Sequence, residues 1–140
     1  MEEISVKEYT GYREQEVLAL YNSVGWSAYT GRPDVLRKAF SQSLCAFGAY
    51  AQGRLVGLIR VVGDGQTIVF IQDILVEPPF QRRGIGRRLI AEVFKRYRHV
   101  RQIHLMTDDL PQTVGFYKAV GFSAVEEMHF RAFTRLRYGQ

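Results

Sequence analysis

Three apolar stretches in the middle of the chain predict a run of antiparallel strands. We place these strands at residues 44–51, 54–63 and 67–76. The dipeptides Gln52-Gly53 and Asp64-Gly65 separate them, and both are typical of two-residue hairpin turns. Because the second strand is apolar on both faces except at Arg60, we expect both faces of the sheet to be covered.

In much of the remaining sequence, apolar residues recur at helical spacing and predict helices. A helix over residues 84–98 carries on one face the side chains of Ile85, Leu89, Ile90, Val93, Phe94 and Tyr97. Further helices are predicted at 13–25, 33–43 and 111–120, and further strands at 3–9, 101–107, 122–127 and 128–136. This order predicts a single α+β domain over residues 1–140. A ferredoxin-like domain is the alternative, although it would not require three consecutive hairpin strands.

The sequence Gln-Arg-Arg-Gly-Ile-Gly at residues 81–86 lies between the strand at 67–76 and the helix at 84–98. Its glycines fall in the first turn of the helix, where backbone N–H groups have no intrahelical partner and the helix dipole is positive. Since Gly84 and Gly86 lack side chains, a diphosphate can approach the backbone closely. The neighbouring arginines add positive charge, so the segment predicts a diphosphate-binding turn.

Two common classes of phosphate-binding turn do not fit this segment. A kinase-type P-loop would end in Gly-Lys-Ser or Gly-Lys-Thr, which is absent here. A dinucleotide-binding fold would place its glycines in the first strand–helix unit, whereas this turn follows several strands and has Leu89 at the third glycine position. Coenzyme A is the remaining diphosphate ligand. A tight turn with a solvated basic rim is the purely structural alternative.

The segment Asp73–Ile90 resembles the acetyl-CoA signature of the GNAT family of N-acetyltransferases. A second segment, Phe116-Tyr-Lys-Ala-Val-Gly-Phe122, is similar to the Phe-Tyr-x-x-x-Gly-Phe motif of that family. Two motifs in the family's order are more specific than either one alone. The resemblance implies a GNAT fold, with a mixed central sheet of about six to seven strands flanked by about four helices. It also implies acetyl-CoA (coenzyme A) as the cofactor.

The resemblance assigns roles to particular residues. Backbone groups of Ile74, Leu75 and Val76 would bind the pantetheine arm, beside a strand that separates from its neighbour. The diphosphate would be held by Gln81, Arg82, Arg83, Gly84, Ile85, Gly86, Arg87 and Arg88. Tyr117 would be the catalytic general acid, since a phenol can donate a proton to a developing thiolate. The alternative is that Tyr117 is a packing residue of its helix.

This chain departs from the family pattern at several positions. Leu110 and Thr113 stand where many relatives carry asparagine and alanine, so Thr107 or Asp108 are candidates to replace the asparagine contact. Gln72 stands where many relatives carry a glutamate base. Asp73 would point to the opposite face from Gln72 by the two-residue period of a strand, unless a bulge changes its direction. Asp73, Glu77 and a chain of waters therefore stay open as the route for the amine proton. The alternative for Asp73 is a structural role as the partner of a nearby arginine or backbone group.

The segment Val24–Thr30 is the candidate acceptor site, because in this family the loop between the first two helices borders the acceptor. Trp26 and Tyr29 are aromatic residues in this loop that could bind an aryl or alkyl amine by stacking or by cation–π contact. Alternatively, Trp26 packs against the edge of the core. We therefore expect acetyl-CoA-dependent N-acetylation of a small (aryl)alkylamine by direct attack in a ternary complex. The alternatives are acetylation of a protein amine and a non-catalytic acyl-CoA-binding or regulatory module.

Composition narrows the class of protein. The chain has 140 residues, of which 46% are hydrophobic, so it can bury a core without disulfides. Its one cysteine, Cys45, is expected to be a buried hydrophobe and fits a reducing compartment. No long apolar run and no basic leader is present, so we expect a cytoplasmic protein without a membrane partner. The histidines His99, His104 and His129 lack metal-ligand spacing, so no metal is expected.

The formal net charge of +5 raises the question of nucleic acid as a partner. The basic residues concentrate at 82–101 and 131–137, and the second group alternates with apolar residues as in a protected edge strand. Because no nucleic-acid-binding motif accompanies these residues, a basic nucleic-acid adaptor is the less favoured function. The expected partner is a small-molecule amine, and a homodimer is left open.

Overall fold

The computed structural model describes residues 3–137. The chain divides into two compact units, the first ending at Met106 and the second beginning at Thr107. The first unit contains a five-stranded sheet in the order β1-β2-β3-β4-β5. Its strands are β1 (Ile4–Glu8), β2 (Cys45–Ala51), β3 (Arg54–Gly63), β4 (Ile68–Val76) and β5 (Gln102–Leu105). The pairs from β1 to β4 are antiparallel and β4 pairs with β5 in parallel, so the sheet is mixed as predicted.

Four α-helices accompany this sheet in the described part of the first unit. They are α1 (Glu14–Ser23), α2 (Ser27–Thr30), α3 (Pro33–Ser41) and α4 (Ile85–Arg96). A short 3₁₀ helix, Pro78–Phe80, precedes α4. Proline occupies the first turn of α3, where its missing N–H costs nothing. The short helix α2 lies where the sequence pattern predicts only an irregular loop.

The two hairpin turns differ from each other. Between β2 and β3, Gln52 and Gly53 have φ values of 51° and 79°, as a two-residue turn of the predicted kind requires. The loop between β3 and β4 is longer than predicted, because β3 ends at Gly63 and β4 starts at Ile68. The Asp64 carboxylate holds this loop by accepting hydrogen bonds from the Thr67 hydroxyl and from the backbone N–H groups of residues 66–68. These bonds lower the pKa of Asp64.

Helices cover both faces of the sheet, as the apolar pattern of β3 predicted. Leu58 packs in a buried cluster with Leu20 and Tyr21 of α1. The next residue toward the N-terminus, Gly57, points to the opposite face, where a Cβ atom would lie 3.1 Å from Ile85 of α4. Neighbouring residues of a strand point to opposite faces, so α1 and α4 lie on opposite sides. The absence of a side chain at Gly57 lets α4 approach closely.

A β-bulge interrupts the pairing of β3 with β4. The register passes from Arg60↔Asp73 to Val61↔Ile71, which leaves Gln72 as an extra residue. The two-residue period predicted that Gln72 and Asp73 point to opposite faces. The bulge instead lets both side chains reach the hydroxyl of Tyr29, at 3.4 Å from Gln72 Nε2 and 3.0 Å from Asp73 Oδ1.

Arg60 and Asp73 form a buried ion pair beside this bulge. Their side chains are 5% and 2% exposed, and Arg60 Nε lies 2.7 Å from Asp73 Oδ2. The Tyr21 hydroxyl donates to the same carboxylate oxygen at 2.8 Å. Arg60 also donates to the Ser43 hydroxyl at 3.1 Å. The pair is therefore surrounded by hydrogen-bond partners, as a buried charge pair must be if it is not to destabilise the fold.

The second unit contains α5 (Pro111–Ala119) and a 3₁₀ helix, Val125–Met128. The prediction of two closing strands at 122–127 and 128–136 is wrong, because no residue between 107 and 137 is in a strand. His129 has a φ of 64°, which breaks the extended conformation a strand needs. An alternating pattern cannot form a strand without a neighbouring backbone to pair with. The sheet thus has five strands instead of six to seven.

We predict that Arg60→Met lowers the free energy of unfolding by about 3–5 kcal/mol, because it leaves the Asp73 charge buried without a counter-charge. The double variant Arg60→Met/Asp73→Leu should lose less free energy of unfolding than the sum of the losses in the two single variants, since it removes both charges. Urea denaturation followed by circular dichroism measures these differences.

The exposed pair Arg37–Glu14, with side chains 57% and 42% exposed, provides the matched control. Arg37→Met should lower the free energy of unfolding by about 0–1 kcal/mol, the usual contribution of a surface ion pair. Equal costs for Arg60→Met and Arg37→Met would contradict the structural importance of the buried pair.

Candidate active site

The segment between β4 and α4 is fixed at both of its ends. The backbone N–H of Glu77 donates to Val56 of β3 at 2.8 Å, which is the last bond of the ladder before Pro78 and Pro79. Phe80 is buried and anchors the 3₁₀ helix. The Gln81 side-chain amide then donates to the Val76 carbonyl at 2.9 Å. The turn that follows therefore starts from a defined position.

Backbone N–H groups at the start of α4 are free to bind a ligand. Gly84 has a φ of 78°, and the first helical bond joins the Arg88 N–H to the Gly84 carbonyl at 3.1 Å. Between residues 3 and 137, no group accepts a hydrogen bond from the N–H groups of Gly84, Ile85, Gly86 or Arg87. A Cβ atom at Gly84 would have no atom within 4 Å, so the space above it is open. This arrangement can bind an anion.

The arginines of this turn fall into two groups. Arg82, Arg83 and Arg87 are exposed, and none of them pairs with a carboxylate among the ion pairs of residues 3–137. Arg88 donates to the Ile4 carbonyl of β1 at 2.9 Å, so part of its hydrogen-bonding capacity serves the fold. Three uncompensated positive charges beside free N–H groups favour a multiply charged anion such as a diphosphate.

The carboxyl half of β4 has an open edge. Its pairing with β5 ends at Ile71↔Leu105, whereas β4 continues to Val76. In the described chain, residues 72–76 therefore have a strand partner only on the β3 side. The early end of β5 at Leu105 leaves this edge of β4 unpaired, and the sequence itself could not reveal this feature.

Of the three predicted pantetheine contacts, two direct their backbone toward this open edge. The Glu77 N–H points to β3, and backbone groups of successive residues alternate in direction. Ile74 and Val76 therefore present their N–H groups to the open edge, whereas Leu75 faces β3 and its side chain is buried. An unpaired N–H group at this edge is suited to stabilising negative charge on a carbonyl oxygen.

Tyr117 lies on α5 in the second unit, where it is half-buried. Its ring contacts those of Phe116 and Phe122, with centroid separations of 5.1 and 5.9 Å. Burial and the Asp108 carboxylate raise the pKa of Tyr117, while a hydrogen bond with Thr107 acts in the opposite direction. The phenol is therefore protonated at neutral pH and can donate its proton. Asp108 is partly engaged elsewhere, since its carboxylate accepts the Leu110 N–H at 3.1 Å.

The predicted acceptor residues lie in an aromatic cluster on the α1 side of the sheet. Trp26 and Tyr29 are half-buried, and their rings lie 5.7 and 5.4 Å from the ring of Tyr21. The Tyr29 hydroxyl is already engaged with Asp73. Trp26 therefore packs against the edge of the core and still exposes part of its surface, while Tyr29 has a structural partner.

The alternative that Asp73 is the partner of a nearby arginine is confirmed, but sequence reasoning did not identify Arg60 as that arginine and missed the part played by Tyr21. In the sequence Arg60 stands out only as an exception in an apolar strand, although a charged residue in such a strand is itself a signal of a buried partner. Asp73 is the matching acid in the next strand, and the pairing of β3 with β4 brings the two together. Tyr21 gave no signal, because its spacing is that of an ordinary core residue.

The family model of the acetyltransferase (GNAT) domain matches residues 10–136. The chain belongs to the GNAT family. The GNAT-family acetyltransferase SP0256 from Streptococcus pneumoniae TIGR4 superposes with a TM-score of 0.87 at 34% identity, over 97% of this chain and 99% of the other. This likeness confirms the predicted α+β GNAT fold.

Two curated relatives show how widely the family varies. The uncharacterized N-acetyltransferase ycf52 of Gracilaria tenuistipitata var. liui is 32% identical over 85% of this chain and 65% of its own length. The chloroplastic serotonin N-acetyltransferase 2 of Oryza sativa subsp. japonica is 39% identical over 51% of this chain and 36% of its own length. The GNAT chain thus spans less than two thirds of either relative.

A more distant solved structure shares the fold. The aminoglycoside acetyltransferase AAC(6')-Iy, in complex with a CoA-S-monomethyl-acetylneamine bisubstrate analogue, has a TM-score of 0.75 at 20% identity, over 96% of this chain and 99% of the other.

In residues 3–137 no helix is long and apolar enough to cross a membrane. Since the rice relative is chloroplastic by name, the cytoplasmic location stays a prediction.

We predict that acetyl-CoA raises the melting temperature of the wild-type protein and that Gly84→Val abolishes this shift. A ligand that binds only the folded state stabilises it by about 2.7 kcal/mol at a hundred times its Kd. Valine would place a branched side chain in the open space beside Gly84, at the start of α4, and would strain the positive φ of this residue. Thermal denaturation with and without acetyl-CoA measures the effect.

Gly11→Val is the matched control, because Gly11 has a φ of 70° and a Cβ atom added there would also have no atom within 4 Å. It should lower the melting temperature through backbone strain but keep the acetyl-CoA shift. A full shift in Gly84→Val would show that the turn does not bind the diphosphate.

Proposed function

We propose that this GNAT protein is an N-acetyltransferase that moves the acetyl group of acetyl-CoA to a primary amine within a ternary complex. The free N–H groups at the start of α4 are the observation that carries this proposal, together with three neighbouring arginines that form no ion pair within residues 3–137. Gln81, Arg82, Arg83, Gly84, Ile85, Gly86, Arg87 and Arg88 would surround the diphosphate. Bound acetyl-CoA supplies the activated thioester for transfer.

The residues of the chain would contribute charge stabilisation and a proton. Transfer forms a nitrogen–carbon bond and breaks a carbon–sulfur bond, so the amine loses a proton and the sulfur gains one. The N–H of Ile74 or Val76 would stabilise negative charge on the carbonyl oxygen, and the unpaired edge of β4 beyond Ile71 supports this role. Tyr117, within the Phe116–Phe122 motif, is the proposed proton donor to sulfur.

None of the three candidate residues at or near the end of β4 is free to accept the amine proton. Gln72 cannot accept it, and protonating Asp73 would leave Arg60 buried without its counter-charge. Glu77 is paired with Arg54 at 2.5 Å. We therefore favour a route through water to bulk solvent. The lack of a carboxylate at Gln72 also supports the second candidate function, a non-catalytic acyl-CoA-binding or regulatory module.

The proposed acceptor is a small (aryl)alkylamine. Its support is the half-buried ring of Trp26 in the loop that precedes α2. The names of similar proteins span several acceptor classes, including serotonin, aminoglycosides and, for TAP1 of Glycine max, histones. A protein amine is thus the alternative acceptor. The homodimer and the low expectation of nucleic-acid binding also stay predictions.

Thiol release from acetyl-CoA in the presence of a panel of amines tests the proposed activity. The panel should contain arylalkylamines, alkylamines, an aminoglycoside and a lysine-containing peptide. Amine-dependent thiol release supports an acetyltransferase, and the amine with the highest kcat/KM identifies the acceptor class. Tight acetyl-CoA binding without release for any amine would favour the non-catalytic module.

We predict that Tyr117→Phe lowers kcat by roughly 10²-fold or more, the usual worth of a positioned proton donor. The variant keeps the ring that packs against Phe116 and Phe122, so its melting temperature should change little. Acetyl-CoA affinity should weaken by at most about the worth of one hydrogen bond, roughly 1 kcal/mol. Full turnover of this variant, when chemistry limits the rate, would remove Tyr117 from the mechanism.

We predict that Trp26→Ala raises the KM for an arylalkylamine without weakening acetyl-CoA binding. A lost cation–π contact is worth about 0.5–2 kcal/mol, so the KM should rise roughly 2- to 30-fold. Trp26→Phe keeps an aromatic face and should give a smaller rise. Steady-state kinetics and acetyl-CoA titration measure both quantities. A loss of acetyl-CoA affinity with an unchanged amine KM would instead make Trp26 a structural or cofactor-contacting residue.

A further inference from the structure

The acceptor loop, residues 24–30, is hydrogen-bonded to the sheet through a single side chain. The Tyr29 hydroxyl donates to Asp73 at 3.0 Å and accepts from Gln72 Nε2 at 3.4 Å. Within residues 3–137, these are the only hydrogen bonds that join the acceptor loop to any strand. The loop also packs against the buried core, and its backbone is bonded to α1, where the Trp26 N–H donates to the Tyr21 carbonyl at 3.2 Å. The rings of Trp26 and Tyr29 pack against the ring of Tyr21. Ring packing is less directional than a hydrogen bond to a carboxylate.

Asp73 is a rigid anchor for this hydrogen bond. Its carboxylate also accepts from Arg60 Nε at 2.7 Å and from the Tyr21 hydroxyl at 2.8 Å, and the residue is 2% exposed. The bulge at Gln72 keeps Asp73 opposite Arg60. The loop is thus tied to a group that cannot move without breaking a buried ion pair, which is costly.

The anchor lies beside the open edge of β4. Asp73 directly precedes Ile74, whose backbone is directed to that edge, and follows the bulged residue Gln72. One carboxylate therefore fixes both the path of β4 next to the proposed oxyanion donor and the position of the loop that carries Trp26.

We propose that Tyr29 is a positioning residue: its hydroxyl, bound to Asp73, holds the acceptor loop against β4 so that Trp26 is placed to receive the amine. The proposal rests on the proposed acetyltransferase function for its kinetic consequences. The hydroxyl is engaged with Asp73, so the predicted stacking or cation–π contact of Tyr29 with the amine would involve its ring alone. The tether itself is a property of the protein without substrate and can be measured there.

A proton relay from the amine through Tyr29 to Asp73 is the competing role for the same contact. Such a relay requires Asp73 to accept a proton while Arg60 stays charged and buried beside it. That step would break the ion pair at the centre of the network. The two roles differ in their kinetics, since loss of a relay lowers kcat whereas loss of a tether raises the KM for the amine.

Trp26 is the one tryptophan of the chain, so its fluorescence reports directly on the loop. We expect Tyr29→Phe to shift the emission to longer wavelength and to increase quenching by acrylamide, because the loop leaves the sheet more often. Loss of a hydrogen bond to a charged group should change the ratio of tethered to released loop by about tenfold. Unchanged emission and quenching in Tyr29→Phe would overturn the proposal.

Two further Tyr→Phe variants are matched controls. Tyr12→Phe removes a hydroxyl that has no partner within residues 3–137 and is packed against the same cluster, so emission and quenching should stay as in the wild type. Tyr21→Phe removes a bond to the same carboxylate from α1 instead of the loop, and keeps the ring against Trp26. Tyr21→Phe should lower the free energy of unfolding and change the acrylamide quenching of Trp26 fluorescence little. Equal quenching changes in Tyr21→Phe and Tyr29→Phe would overturn the tether.

The kinetic measurement uses the full chain and the best amine of the panel. Tyr29→Phe should raise the amine KM about tenfold, with a nearly unchanged kcat and unchanged acetyl-CoA binding. A large fall in kcat with an unchanged KM would overturn the proposal in favour of the relay. If the wild-type protein acetylates no amine, the proposed function fails, while the fluorescence of Tyr29→Phe still decides whether the tether exists.

Discussion

The buried ion pair between Arg60 and Asp73 is the constraint on which the first unit depends. Two charges inside a sheet are tolerated only if every hydrogen-bonding position around them is filled. Here that condition fixes Tyr21 of α1, Ser43 before β2 and Tyr29 of α2 around a single point. Elements that are distant in sequence are thereby held in register by directional bonds and not by apolar packing alone.

The same pair shapes the candidate active site through the backbone. Asp73 lies opposite Arg60 because the strand accommodates Gln72 as an extra residue. Bulges bend a strand and increase its local twist. The pairing of β4 with β5 ends at Ile71, immediately before this bulge, and the open edge begins there. An ion pair on one face of the sheet thus coincides with the place where backbone groups become available to a ligand.

The parts of the structure that the sequence predicts well are those governed by local rules. The turn at 81–86 could be placed because glycine, proline and helical spacing act within a few residues of one another, and the structure has α4 starting at Ile85. The bulge could not be placed, since the two-residue period says nothing about the partner strand. The closing strands were predicted wrongly for a related reason: the alternation at 128–136 is real, but an alternating pattern does not supply a partner strand, and none of residues 107–137 is in a strand.

The free N–H groups and unpaired arginines at the start of α4 have a practical consequence. No carboxylate among residues 3–137 neutralises Arg82, Arg83 or Arg87. In the absence of coenzyme A, these groups therefore bind water and small anions from the solution. Phosphate and sulfate buffers would therefore compete with the diphosphate for the same donors. Exposed charges are also screened over about 10 Å at 0.1 M ionic strength. Affinities measured for this protein consequently have meaning only together with the buffer anion and the salt concentration.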